Sequence, residues 1–154
     1  MNTTISRNSI ELIRVLDYDG YAVLSAEGTN KNEFYLCLQL PAGEISNGNG
    51  YTQGGKTLQN VRFVYSAGEL SMYADDVSWL ASGAGITANQ ACLYYFRNFS
   101  SSPSRTALPL SQMYSRSTKL ATIFFDNDDS LTAIAGTTLT VAWPSGLLFK
   151  WKML

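Results

Sequence analysis

Short stretches in which apolar and polar residues alternate recur along the chain. In Glu33–Leu40, Phe34, Leu36, Leu38 and Leu40 fall on one face, and in Val61–Tyr65 the face is Val61, Phe63 and Tyr65. Ala91–Phe96 and Leu120–Phe125 read the same way. The clearest case is Thr137–Trp143, where Leu139, Val141 and Trp143 oppose Thr138, Thr140 and Ala142. After Pro144–Gly146 comes Leu147–Trp151, with Leu147, Phe149 and Trp151 aligned. A period of two is the sidedness of a β-strand, and these segments are rich in β-branched and aromatic residues. Clusters of Gly, Asn, Ser and Asp separate them. The pattern predicts an all-β fold, a single antiparallel β-sandwich of the jelly-roll or Ig-like kind, over residues 1–154.

Two regions depart from this rhythm. RVLDYDGYAVLSA (residues 14–26) reads as two short strands around Asp19-Gly20, a dipeptide suited to a type I′ turn. A competing reading makes Ile10–Leu16 a short N-terminal helix, capped by Asn8 with Glu11 three residues on. Residues 97–119 form the longest stretch without a strand pattern and are expected to be a long loop that contacts a partner or moves. Residues 1–9 are expected to form an N-terminal arm. No internal repeat and no dividing linker is evident.

Composition narrows the function. Hydrophobic residues make up 45% of the chain, enough to build a core at this length. The net charge is −1, with 11 basic and 12 acidic residues in no long run, which argues against a nucleic-acid surface built on bulk charge. The chain has no histidine, the commonest general base and metal ligand. No apolar run reaches the length of a membrane span, and the first residues lack the pattern of a secretory signal. The expectation is a protein made in the cytoplasm, with no membrane partner, no cofactor and no metal. Cys37 and Cys92 sit inside the apolar runs FYLCLQL and ACLYYF and read as buried thiols.

Several spellings invite chemistry. GYTQGGKT (Gly50–Thr57) satisfies the phosphate-loop pattern G-x-x-x-x-G-K-[ST]. That pattern binds phosphate only between a buried strand and a helix, because backbone N–H groups at the helix start do the work. Here a polar turn-rich segment precedes the match, and LQNVRFVY, which alternates as a strand, comes after it. The expectation is a turn before a strand. Asp126–Ser130 resembles the opening of a calcium loop, but Leu131 stands where the loop needs Gly and Thr137 where it needs Glu, so a solvated turn is expected. Asp75-Asp76 reads as a hydrogen-bonding turn pair, since neighbours on a strand face opposite ways. The serine run Ser100–Ser104 has no histidine to activate it and reads as loop. No catalytic residue is assigned.

Docking is the remaining chemistry. Tyr94, Tyr95 and Tyr114 are candidate exposed anchors, and Arg97, Arg105 and Arg116 punctuate the long loop without an acidic residue among them. With Arg7 in the arm, the candidate protein-interaction residues are Arg7, Arg97, Arg105, Tyr114 and Arg116.

The motifs also resemble a family in their order. GYTQGGKTL (Gly50–Leu58), ADDVSWLASGAGITANQACLYY (Ala74–Tyr95), KLATIFFD (Lys119–Asp126) and GTTLTVAWPSGLLFKW (Gly136–Trp151) look like small structural virion proteins of tailed bacteriophages. The resemblance runs from Gly50 to Trp151, with a looser match at EFYLCLQLP. It departs at Arg97–Lys119, where the family has a shorter connection. It implies a non-enzymatic protein of the virion, most directly a capsid decoration protein that reinforces the head, whose partners are the major capsid protein and copies of itself. The alternatives are a neck or tail adaptor or fibre-attachment protein contacting neck or tail proteins, and, from another class, a carbohydrate-binding module marked by exposed Trp or Tyr in a groove.

Overall fold

A computed structural model of the chain describes residues 3–6, 10–12, 33–96, 105–125 and 130–152. Fourteen strands occur among these: β1 (Thr3–Ser6), β2 (Ile10–Leu12), β3 (Glu33–Leu40), β4 (Gly43–Glu44), β5 (Lys56–Thr57), β6 (Arg62–Ser66), β7 (Glu69–Tyr73), β8 (Val77–Leu80), β9 (Ile86–Ala88), β10 (Gln90–Phe96), β11 (Ser117–Phe124), β12 (Leu131–Ala133), β13 (Thr138–Ala142) and β14 (Leu147–Lys152). One helix, α1 (Leu110–Ser115), follows a 3₁₀ turn at Arg105–Ala107, and a second 3₁₀ turn lies at Pro144–Gly146.

The largest sheet runs β2-β11-β10-β3-β4, with β5 also paired to β3. Opposing it are the three-stranded sheets β1-β13-β8 and β14-β7-β6, and β9 pairs with β12 in a short ribbon. All pairings are antiparallel except β1 with β13, where Thr3 to Ser6 run parallel beside Leu139 to Ala142. The all-β, sandwich-like architecture is the one the alternation predicts, with sheets that do not close.

The main core lies between the layers. Phe34, Leu36 and Leu38 from β3 and Ala91 and Leu93 from β10 meet Leu70 and Met72 from β7, Val77 and Trp79 from β8, and Leu139 and Val141 from β13. Each fully buried aliphatic or aromatic side chain contributes about 1.5–3 kcal/mol through removal from water, which is why alternation alone sets these strands' orientation. β3 and β10 are buried on both faces. Tyr35, Cys37 and Phe96 point away from the main core into a second cluster closed by Met113 of α1, with Tyr94, Leu108 and Tyr114 packed against it. Cys37 and Cys92 stand directly opposite each other in the β3–β10 register and are free thiols.

Several expectations change. Ile10–Leu12 is a strand on β11, so these residues do not start an N-terminal helix; the strands around Asp19-Gly20 lie outside the described residues. The expected loop 97–119 contains regular structure in its described part. From Arg105 onward it forms the 3₁₀ turn and α1, and β11 already begins at Ser117. Six helical residues span under two turns, too few for a helical period to show against the strand pattern. The alternation expected from Leu147 to Trp151 is interrupted: the β14–β7 register shifts between Leu147 and Phe149, and Leu148 is fully buried. A bulge adds one residue and re-aims the side chains around it. The calcium-like segment 126–129 and the serine run lie outside the described residues.

Candidate functional site

The Gly50–Thr57 segment lies on the edge of the sandwich, clamped from two sides. Gly48 and Tyr51 exchange backbone hydrogen bonds of 2.9 and 3.0 Å, turning the chain so that the Tyr51 ring enters the core 5.9 Å from Trp79. The Tyr51 hydroxyl donates to Glu44 Oε1 at 2.7 Å and accepts from the Leu38 N–H at 3.1 Å. Burial, first of all, pushes its pKa well above the ordinary tyrosine value. The same Glu44 oxygen accepts the Gly54 N–H at 2.7 Å, and the Gly55 N–H goes to the Thr52 carbonyl at 3.1 Å. These are the glycine N–H groups that a phosphate loop would turn toward its ligand, and here both are spent inside the protein.

The lysine and threonine of the motif are used likewise. Lys56 Nζ donates to the Ser78 carbonyl at the edge of β8 and lies 5.8 Å from the centre of the Trp79 ring. Thr57 Oγ1 accepts from Arg105 Nε at 3.1 Å and from its terminal nitrogen Nη2 at 2.8 Å. Gly55 has a φ of +64°, and a Cβ there would collide with the Leu36 carbonyl oxygen. The glycine therefore lets the turn lie flat against β3. β4 precedes this segment, β5 forms its last two residues and β6 comes after it, with no helix following.

Arg105 is the centre of the second clamp and is 2% exposed. Its guanidinium lies 4.2 Å from the centroid of Tyr35, and Nη1 donates to the Gly54 carbonyl at 2.8 Å and approaches Met113 Sδ at 3.4 Å. Its backbone N–H donates to Glu33 Oε2 at 2.9 Å. Burial draws the arginine pKa down, opposed by the nearby Glu33 carboxylate. A buried, fully engaged guanidinium is not an exposed docking contact, and this corrects the expectation for Arg105. Its position was not legible in the sequence, because arginine is rarely buried unless its charge and donors are matched.

The aspartate pair forms a local clasp. Asp76 Oδ1 accepts the Trp143 N–H at 2.9 Å, the Asp75 carbonyl accepts Trp143 Nε1 at 3.1 Å, and Asp75 Oδ2 accepts from Asn60 at 2.6 Å. Together these bonds tie the β7–β8 turn to the end of β13. They are turn contacts, as the residue types suggest.

The structure places the other candidate docking residues unevenly. Arg7 and Arg97 lie outside the described residues. Tyr114 is half-buried, its ring 6.4 Å from Tyr94, and Arg116 is half-buried with its guanidinium 4.8 Å from the Phe96 centroid. Arg105, Tyr114 and Arg116 thus gather around one aromatic cluster, beneath the exposed side of α1. Tyr94 and Tyr95 are not exposed anchors: Tyr94 stacks on Tyr35 at 5.1 Å and accepts a hydrogen bond from Gln39 at 3.1 Å, while Tyr95 packs 5.2 Å from Phe34.

An open cleft of about 460 Å³ lies between the 43–49 turn and the 84–87 turn, with Glu44, Asn47, Asn49 and Thr87 among its polar walls and no aromatic side chain. Its polar groups serve the fold too. Asn47 Oδ1 accepts from the Gln53 N–H at 2.6 Å and Asn49 Oδ1 from the Ala84 N–H at 3.1 Å. Among the described residues, no group of three or more Cys, Asp or Glu converges as a metal site would require, and no helix is long and apolar enough to cross a membrane. No family model matches the chain, and no curated protein and no solved structure does either.

Proposed function

We propose that this chain is a non-enzymatic structural protein of a tailed-phage-type virion, most directly a decoration protein of the capsid, that acts by docking to the major capsid protein and to copies of itself. The observation that carries the reading is where the suggestive side chains go. Lys56, Asp75, Asp76 and Arg105 each lock one piece of backbone onto another. Polar groups spent this way hold turns rigid against the strands, as a protein that works through fixed outer surfaces requires. The order of the motifs from Gly50 to Trp151 supplies the virion context.

The test is stoichiometry in purified particles. A decoration protein is present on the order of hundreds of copies per particle, following the symmetry of the shell. About a dozen copies would reassign the chain to a neck or tail position. Absence from the particle would overturn the reading.

A further inference from the structure

Several strand edges among the described residues are guarded, in different ways. The outer edge of β8 is covered by Gly50, packed against the Leu80 carbonyl, and by Lys56 on the Ser78 carbonyl. β14 carries a bulge and the exposed Lys150. Such devices, edge lysines, bulges and covering segments, are how sheets avoid pairing with strangers.

Among the described residues, β6 has none of them. It is the terminal strand of the β14-β7-β6 sheet, its register with β7 runs unbroken from Arg62↔Tyr73 to Ser66↔Glu69, and among the described residues no backbone group bonds its outer edge. It contains no proline and no lysine. Val64 at its centre is 41% exposed. Its one charged side chain, Arg62, is held back over the Tyr73 ring, 4.1 Å from the centroid, and leaves the edge open.

The turn that joins β6 to β7 fixes which groups face outward. Ala67 and Gly68 have φ of +53° and +79°, the two-residue geometry of a type I′ hairpin. Ser66 and Glu69 therefore close the hairpin as a hydrogen-bonded pair, and by alternation Val64 and Arg62 also bond β7. The N–H and C=O groups of Phe63 and Tyr65 are left pointing out of the sheet.

We propose that this edge is the seam of a symmetric dimer, with β6 of one copy antiparallel to β6 of a second and the twofold axis at Val64. In that register Phe63 faces Tyr65 of the second copy and exchanges both backbone hydrogen bonds with it, twice by symmetry. Val64 meets its own counterpart at a non-hydrogen-bonded position, where side chains come closest and β-branched pairs pack well. Arg62 of each copy faces the uncharged Ser66 of the other, so no like charges oppose directly across the seam. The two three-stranded sheets become one of six strands.

A five-residue seam buries less surface than a standard interface, so association is weak and concentration-dependent in solution, and holding copies side by side on a larger assembly strengthens it. This deepens the self-association part of the function proposed above, and its test needs no particle. A failure here therefore leaves particle stoichiometry to judge that function separately.

The experiment is sedimentation equilibrium on the purified chain up to its solubility limit, together with single-cysteine crosslinking under mild oxidation. The expected result is a monomer–dimer equilibrium that Val64→Lys weakens by about tenfold or more, because it sets two ammonium groups face to face, while the melting temperature stays put. Val64→Cys, at the twofold axis, forms a covalent dimer, and Ser66→Cys, whose neighbour across the seam is Arg62, does not. The crosslinks do not depend on how Val64→Lys folds. A chain that stays monomeric at every concentration, a dimer indifferent to Val64→Lys, or equal crosslinking of the two cysteine variants would each overturn the proposal.

Discussion

The guanidinium of Arg105 lies over the ring of Tyr35, 4.2 Å from its centroid, and bonds Gly54 and Thr57. One side chain from the segment after residue 104 thereby fastens a turn that precedes it by some fifty positions in the sequence. Cutting it back to Ala empties buried volume and strands the Gly54 carbonyl. Arg105→Ala is expected to cost about 3 kcal/mol or more by urea denaturation. Arg105→Lys recovers only part of this, because an ammonium cannot stack on the ring and serve both acceptors at once.

Two glycines with positive φ separate strain from collision. Gly68, at +79°, has open space around its Cα, and Gly68→Ala is expected to cost about 1 kcal/mol from backbone strain alone. Gly55, at +64°, faces the Leu36 carbonyl, so Gly55→Ala adds a steric clash with β3. A shift in denaturation midpoint for Gly55→Ala at least twice that for Gly68→Ala is the expected outcome.

Stability is expected to be flat near neutrality and to fall in alkali. The chain has no histidine to titrate near pH 7. Burial pushes the Tyr94 hydroxyl up to about 12, raises Tyr35 and Tyr51 further, and raises both buried thiols, Cys37 and Cys92. Once the unfolded chain would release these protons and the folded chain still holds them, each group lowers stability by about 1.4 kcal/mol per pH unit. Their contribution is complete below about pH 8.5 for the thiols and about 10 for the phenols, and the part due to Tyr94 is lost by about pH 12. Melting temperature against pH checks the direction. Phenolate absorbance checks the cause, since Tyr35 and Tyr51 ionise together with unfolding.

Lys56 stands where a phosphate loop would hold its catalytic lysine, and its bond to Ser78 predicts a different behaviour. Magnesium ATP is expected to leave the melting temperature unmoved, because no binding means no linkage stabilisation. Lys56→Met is expected to cost about 1 kcal/mol or less, the worth of one exposed hydrogen bond.

The strands that were legible in the sequence are those where alternation runs long enough to be seen. Glu33–Leu40 and Thr138–Ala142 fall where the pattern places them, because alternate residues of each face the main core and the period is two. β1, with its Thr-Thr-Ile-Ser, carries no such pattern, and its backbone pairing with β13 is something composition does not record. The second face of β3 was hidden for a related reason. Tyr35 and Cys37 look like the solvent side of a half-buried strand until α1 covers them. The turn at Gly54-Gly55 was legible from the alternation of Val61–Tyr65, which marks a strand where a phosphate loop needs a helix. The clamp that holds it was not, because Glu44 and Arg105 are brought together by the topology and no spacing in the sequence links them.

The parallel pairing of β1 with β13 has a consequence for synthesis. Thr3 leaves the ribosome long before Leu139, the residue it pairs with, is made. The first strand must therefore wait without its neighbour while the rest of the sandwich assembles. Docking β1 becomes a late, slow step in the birth of the molecule, since so distant a contact must first gather the whole intervening loop.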